Sequence, residues 1–181
     1  RALMEAGVMD SKRVSSRDRI VNLSGIIRRT QGVKVSVILV GPKRYNELYE
    51  RFSNLNELLA WGHAKVIKEL SELVPGCPRA LSDQFANPRV LERALARQEV
   101  NVKLQQRTKG ESDVAVAAAS ILAKVERDKY IEKICDKNPE LDEYYGLKSN
   151  KGYGTKKHIE GIKTYGISEW HRKSFAPCKR V

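Results

Sequence analysis

The sequence predicts an α/β fold, a sheet covered by helices, and three observations carry that prediction. Short runs with strand character, residues 33–40, 79–85 and 99–106, alternate with segments whose apolar residues recur at helical spacing. The run 33–40 turns continuously apolar towards its end, as a central strand covered on both faces does. After Gly110, the positions Val114, Ala118, Ile121, Leu122 and Val125 follow the rhythm of one buried helix face. There Ala117-Ala118-Ala119-Ser120 keeps side chains short, so that helix can lie close against a sheet.

The elements follow in order. Residues 1–9 read as the tail of an earlier element, leading into a turn at Asp10-Ser11-Lys12. Ser15-Ser16 offers an N-cap for a helix running to about Arg29, which Gln31-Gly32 breaks. The strand 33–40 ends at Gly41-Pro42, and Pro42 opens a short helix to about Phe52. Ser53-Asn54 breaks the chain before a longer amphipathic helix, 56–73, and Pro75-Gly76-Cys77-Pro78 is a loop. Residues 79–85 form a short strand with Asp83 towards its carboxyl end, and Pro88 starts a helix to about Arg97.

In 99–106, Val100, Val102 and Leu104 alternate onto one face. Gly110 is expected to allow a sharp turn, with Glu111 in the first turn of a helix that reaches about Lys137. Asn138-Pro139 stops it. A Gly/Tyr/Lys-rich loop covers 144–155, a helix follows over 156–165, and the tail His171-Arg172-Lys173-Ser174-Phe175 is basic.

Composition narrows the function. A chain of 181 residues, 41% hydrophobic, suits one domain with a sizeable core. Its longest apolar run, 35–41, is too short to span a bilayer, so no membrane partner is expected. No secretory leader is expected either, because residues 1–10 lack an apolar block. The net charge of +12 points to a polyanion, nucleic acid first. Three scattered cysteines without C-x-x-C fit a reducing, cytoplasmic location, and the three histidines lack the spacing of zinc ligands.

Two acids stand where α/β sheets gather their chemistry, beyond the carboxyl ends of strands: Asp83, and Glu111 just after another strand. Oxygen donors of this kind suit Mg²⁺ or Mn²⁺, and two such ions about 4 Å apart promote phosphodiester cleavage. Each acid also has a plainer role. Asp83 can cap the helix after Pro88 or make an Asx turn, and Glu111 can complement a helix dipole. Lys12 follows a turn and can reach a phosphate or lie solvated. The segment Lys148-Ser149-Asn150-Lys151-Gly152-Tyr153-Gly154-Thr155-Lys156-Lys157-His158 mixes cations with an aromatic between glycines, suited to holding a nucleic-acid backbone or to forming an exposed basic loop. Arg172 and Lys173 repeat the pattern; His158 and His171 are read as phosphate contacts or structural residues.

These motifs resemble the type 2 ribonucleases H, the ribonuclease HII and HIII group, from about Gly7 to Pro177. The match is strongest at Lys109-Gly110-Glu111-Ser112 with Ala117-Ala118-Ala119-Ser120-Ile121-Leu122-Ala123-Lys124. Gly7-Val8-Met9-Asp10-Ser11-Lys12 resembles the family's turn before its first helix. Asn54-Leu55-Asn56-Glu57-Leu58-Leu59-Ala60-Trp61 and Ser82-Asp83-Gln84-Phe85-Ala86 resemble the HIII branch. Lys151-Gly152-Tyr153-Gly154-Thr155 and His171-Arg172-Lys173-Ser174-Phe175 resemble HII.

The resemblance implies a ribonuclease H-like fold, a central mixed sheet flanked by helices, in a single domain 1–181. Residues 138–181 form its helical, substrate-binding extension. It also implies four carboxylates holding two divalent ions, with Asp83 as the third acid and Glu111 as the fourth. Tyr153 matches the tyrosine with which HII-type enzymes sense an RNA-to-DNA junction, and Lys12 matches a lysine near the substrate phosphates. Lys151, Arg172 and Lys173 complete the expected substrate contacts. The family pattern opens with an Asp-Glu strand and a glycine-rich turn, neither of which precedes Gly7; Asp142-Glu143 lies after the last core helix. The expected activity is endonucleolytic cleavage of the RNA strand of RNA/DNA hybrids, with single ribonucleotides in DNA as a further option, by a monomer using two metal ions and leaving 3′-hydroxyl and 5′-phosphate ends. The alternative is a non-catalytic hybrid-binding module with an incomplete carboxylate set.

Overall fold

The computed structural model describes residues 2–14 and 16–179. Its elements are α1 (Ala2–Glu5), a 3₁₀ turn (Ser11–Arg13), α2 (Arg17–Arg29), α3 (Pro42–Phe52), α4 (Leu55–Leu73), β1 (Arg79–Asp83), α5 (Pro88–Arg97) and β2 (Lys103–Arg107). A second 3₁₀ turn (Gly110–Ser112) precedes α6 (Val114–Lys137), α7 (Glu140–Tyr145), α8 (Leu147–Asn150), α9 (Lys156–Tyr165) and α10 (Ala176–Lys179). Among the described residues, no helix is long and apolar enough to cross a membrane.

Local chemistry sets most helix starts. The Ser16 hydroxyl accepts from the Arg19 amide at 3.4 Å, while Ser15, its expected companion, lies outside the described residues. Asn54, Asn87 and Thr155 cap α4, α5 and α9 in the same way. Pro42 and Pro88 occupy the first turns of α3 and α5, where a missing N–H costs nothing.

The chain folds as two compact units: Arg1–Ile38 with Asn54–Val125, and Leu39–Ser53 with Glu126–Val181. The first unit holds two apolar clusters. In one, Ile20, Leu23 and Ile27 of α2 meet Ala117, Ala118, Ile121, Leu122 and Val125 of α6, together with Val8 and Val14. This is the face the helical spacing predicts. Ile121 is fully buried, so truncating it to alanine costs about 2–5 kcal/mol. In the other, Ala60 and Ala64 of α4 receive Leu91, Ala94 and Leu95 of α5, with Val100, Val102 and Leu104 against them. The second unit centres on Ile134, Cys135, Leu141, Tyr145, Leu147 and Ile162.

Three expectations change. Residues 33–40 form no strand; the described sheet is the parallel pair β1–β2 and not a mixed sheet. A strand exists only through a hydrogen-bonded neighbour. Here the segment is fixed by side chains instead: Val33 and Val35 pack on the α2–α6 cluster, and Ser36 Oγ donates to Glu69 Oε2 at 2.6 Å. The strand expected over 99–106 begins only at Lys103. Glu99, at φ 57°, closes α5 in a left-handed turn whose amides return to Leu95 and Ala96. The loop expected over 144–155 contains the end of α7 and all of α8. Gly146 at φ 66° lets one helix stop and the next begin, and Asp142 Oδ1 accepts from the Lys148 amide at 2.7 Å.

Candidate functional site

The first unit brings Asp83, Glu111 and Lys12 to one end of the parallel pair. Asp83 is the last residue of β1, in register with Arg107, the last of β2. The Gln84 amide donates to the Arg107 carbonyl at 2.9 Å and extends the ladder one step further. Beyond β2, Lys109 takes a left-handed conformation, φ 57° and ψ 41°, and turns the chain back. The Gly110 amide then donates to Asp83 Oδ1 at 2.8 Å. The acid that ends one strand is thus tied to the residue immediately before Glu111.

Gly110 serves a different purpose from the one expected of it. The sharp turn is made by Lys109; glycine is needed at 110 for space. A Cβ there would lie 3.0 Å from Asp83 Cα and 3.2 Å from Asp83 Oδ1. Glu111 also sits outside the helix, in its own 3₁₀ turn, because Asp113 is extended and caps α6 by accepting from the Ala115 amide at 2.8 Å. Asn87, not Asp83, caps α5.

Lys12 approaches from another side, with Nζ 3.8 Å from Glu111 Oε1. The Lys12 side chain is largely exposed, so solvent screens this pair. Its backbone is better fixed. Asp10 Oδ1 accepts from the Lys12 amide at 2.9 Å, and Ser11 Oγ shares a 2.5 Å hydrogen bond with Ser120 Oγ of α6.

His63 escapes a reading for zinc spacing but lies beside this strand end. Its Nδ1 is 3.3 Å from Ser82 Oγ, whose hydroxyl donates to the Asp83 carbonyl at 2.9 Å. Its ring packs on Phe85 at 4.8 Å. Burial pushes the imidazole below its ordinary pKa, opposed by the negative charge of Asp83. The signal in the sequence is positional: His63 falls on the α4 face that carries Ala60, Ala64 and Ile67.

The second unit holds the remaining expected residues. Tyr153 is 59% exposed, yet Arg127 Nη1 donates to its hydroxyl at 2.9 Å and the guanidinium lies 5.0 Å from the ring centre. Arg127 in turn is held by Asp128 Oδ1 at 2.7 Å. Lys151 pairs with Glu132 Oε1 at 2.5 Å, and its side chain is mostly covered. Arg172 stacks 3.9 Å from the Phe175 ring centre and 5.5 Å from that of Tyr45. The Lys173 amide donates to Asn46 Oδ1 at 3.0 Å, leaving its ammonium exposed.

His158 and His171 face each other at 3.2 Å between their Nε2 atoms, both buried. Arg127 was not legible as a site residue in the sequence, because its importance comes from Tyr153 lying across from it.

The donors offered by Asp83 and Glu111 are carboxylate oxygens, which suit hard divalent cations. Among the described residues, no group of three or more His, Cys, Asp or Glu is placed to hold a metal. Two carboxylates completed by water and phosphate oxygens are nevertheless a usual donor set for Mg²⁺.

Comparison with known proteins follows the same lines. A family model described as ribonuclease HII matches residues 1–178. Ribonuclease HIII of Chlamydia pneumoniae is 42% identical over 153 residues, which make up 84% of this chain and 48% of that protein. Ribonuclease HIII of Protochlamydia amoebophila (strain UWE25) is 44% identical over 122 residues, 67% of this chain and 39% of that protein. The chain therefore spans about half, or less, of the curated relatives it matches.

Among solved structures, Bst-RNase HIII in complex with Mn²⁺ is similar with a TM-score of 0.76. It is 22% identical, and the match covers 98% of this chain and 58% of that one, a likeness of fold. Ribonuclease HII of Archaeoglobus fulgidus, solved in complex with PCNA, gives a TM-score of 0.73 at 26% identity. That match covers 96% of this chain and 80% of that one.

Proposed function

The chain belongs to the ribonuclease HII family, and on that premise we propose that it is an endonuclease cutting the RNA strand of RNA/DNA hybrids. The products are 3′-hydroxyl and 5′-phosphate ends. The observation that carries this reading is the Gly110–Asp83 hydrogen bond, which joins the end of β1 to the turn bearing Glu111. Asp83 and Glu111 are the metal ligands from this chain, for Mg²⁺ or Mn²⁺. When bound, such ions supply water activation and charge neutralisation at the phosphate.

The protein's own groups have separate tasks. Lys12 balances charge beside Glu111 and meets a substrate phosphate. Tyr153, held by Arg127, contacts the sugar or base at an RNA-to-DNA junction. Arg172 and Lys173 serve the duplex backbone within a substrate-binding extension over residues 138–181, whereas the covered Lys151 ammonium is committed to Glu132. The net charge of +12 supports a polyanionic substrate. We further assign a monomer acting in the cytoplasm, in keeping with three unpaired cysteines.

The test is Asp83→Asn, assayed with Mg²⁺ and with Mn²⁺ on a labelled RNA/DNA hybrid. Cleavage is abolished while hybrid retention in a gel stays near the parental level. Equal cleavage by mutant and parent removes the metal-ligand assignment. Retention by the parent without products in either metal identifies a binding module instead.

A further inference from the structure

The paired histidines of the second unit have only one workable arrangement of protons. The Ser168 backbone amide, which can only donate, points at His171 Nδ1 at 3.0 Å, and Ser168 Oγ lies 2.9 Å from the same atom. His171 Nδ1 is therefore bare, and neutral His171 carries its proton on Nε2. At the other end, His158 Nδ1 lies 2.9 Å from the Tyr153 carbonyl, which can only accept. His158 Nδ1 therefore carries a proton, and its Nε2 offers a lone pair. The two Nε2 atoms, 3.2 Å apart, meet as donor and acceptor.

We propose that His171 and His158 are positioning residues for Tyr153, forming a one-way hydrogen-bond relay from Ser168 through both imidazoles to the Tyr153 carbonyl. The inference rests on the reading above that Tyr153 touches the nucleic acid. The relay fixes the main chain of Tyr153 from below, while Arg127 fixes the ring from its hydroxyl end. That main chain needs an anchor, because it follows Lys151 and Gly152, both left-handed at φ 51° and 80°. The imidazoles are themselves braced. Tyr145 meets them edge-on, 4.7 Å from His171 and 6.2 Å from His158, and Asn46 Nδ2 donates to the His171 carbonyl at 3.0 Å.

Substitutions at 171 separate the relay from mere bulk. His171→Gln can place an N–H near the position of Nε2; His171→Asn places its amide only near Nδ1. The full chain is titrated, without divalent metal, into a fluorescently labelled RNA/DNA hybrid, with Tyr153→Ala as reference. His171→Gln should bind within about twofold of the parent. His171→Asn should lose about fivefold, the worth of one hydrogen bond, and approach Tyr153→Ala.

Long-range ¹⁵N–¹H spectra of the parent, which need no variant to fold, should show His171 protonated on Nε2 and His158 on Nδ1. The opposite tautomers overturn the relay, as does equal binding by the Gln and Asn variants while Tyr153→Ala binds weakly. Parental binding by Tyr153→Ala, with the expected tautomers, instead overturns the substrate role of Tyr153 and takes the positioning role with it.

Discussion

Asp83 Oδ1 accepts a hydrogen bond from the Gly110 amide at 2.8 Å, and Gly110 lies so close to Asp83 that an added methyl fits only if Asp83 shifts by a few tenths of an ångström. This tie spans the gap between two strand ends and sets where the following acid begins.

Gly110→Ala tests the tie. Its Cβ would press on Asp83 Cα, a backbone atom that cannot swing aside as a side chain can. The variant should stay folded at a cost of about 1–3 kcal/mol. Hybrid cleavage should fall at least about tenfold, since small displacements of reacting groups are costly. Rates measured beside urea denaturation separate the two effects. A parental rate would show that the tie does not aim the acids.

Gly161→Ala probes how α9 packs on α7 within the second unit. A methyl on α9 would overlap the Tyr144 carbonyl oxygen of α7 and crowd Tyr145 Cδ1 at 2.9 Å. The contact has no flexible partner to yield. Chemical denaturation should show a loss of about 1–3 kcal/mol. Unchanged stability would mean that α7 and α9 can part without cost.

Acid should weaken the fold through His171. Burial, then the adjacent His158, lowers its pKa from 6.5 to about 4. The unfolded chain takes up this proton below about pH 6.5, whereas the folded chain resists until about pH 4. The stabilisation is therefore complete above about pH 6.5 and drains away as the pH falls through that window. It amounts to on the order of 3 kcal/mol. Among the described residues, His158, Tyr145 and Ser168 contact the ring, and no carboxylate is among the groups acting on its charge. Denaturation of the parent and His171→Gln at pH 7.5 and 4.5 isolates it: the parent should lose more. Parallel losses would refute it.

Much of the helical framework was legible because its signals are local. Ser16, Asn54 and Thr155 announce helix starts by side-chain chemistry, and the α6 stripe from Val114 to Val125 shows its buried face by spacing alone. Residues 33–40 misled because β-character is a property of partners: Val33 and Val35 pack, half-buried, on the α2–α6 cluster without a ladder. α8 was hidden because Gly146 and Asp142 make it from contacts several residues away.

The acids at 83 and 111 could be picked out as residue types at strand ends. The reason for glycine at 110 could not, since it is the proximity of Asp83, twenty-seven positions earlier. His63 and Arg127 were missed for the same cause: each matters through a neighbour that only the folded chain supplies.

Lys109 holds φ 57°, a conformation that costs an ordinary L-residue about 1 kcal/mol and glycine almost nothing. A screen for heat resistance alone would therefore favour Lys109→Gly, and its melting temperature should rise by a few degrees. Hybrid turnover should drop in the same variant, because a freer hinge spreads Glu111 over more directions; a gain in both would show that the strain is incidental. Thermal endurance and catalytic aim pull in opposite directions at this one backbone angle.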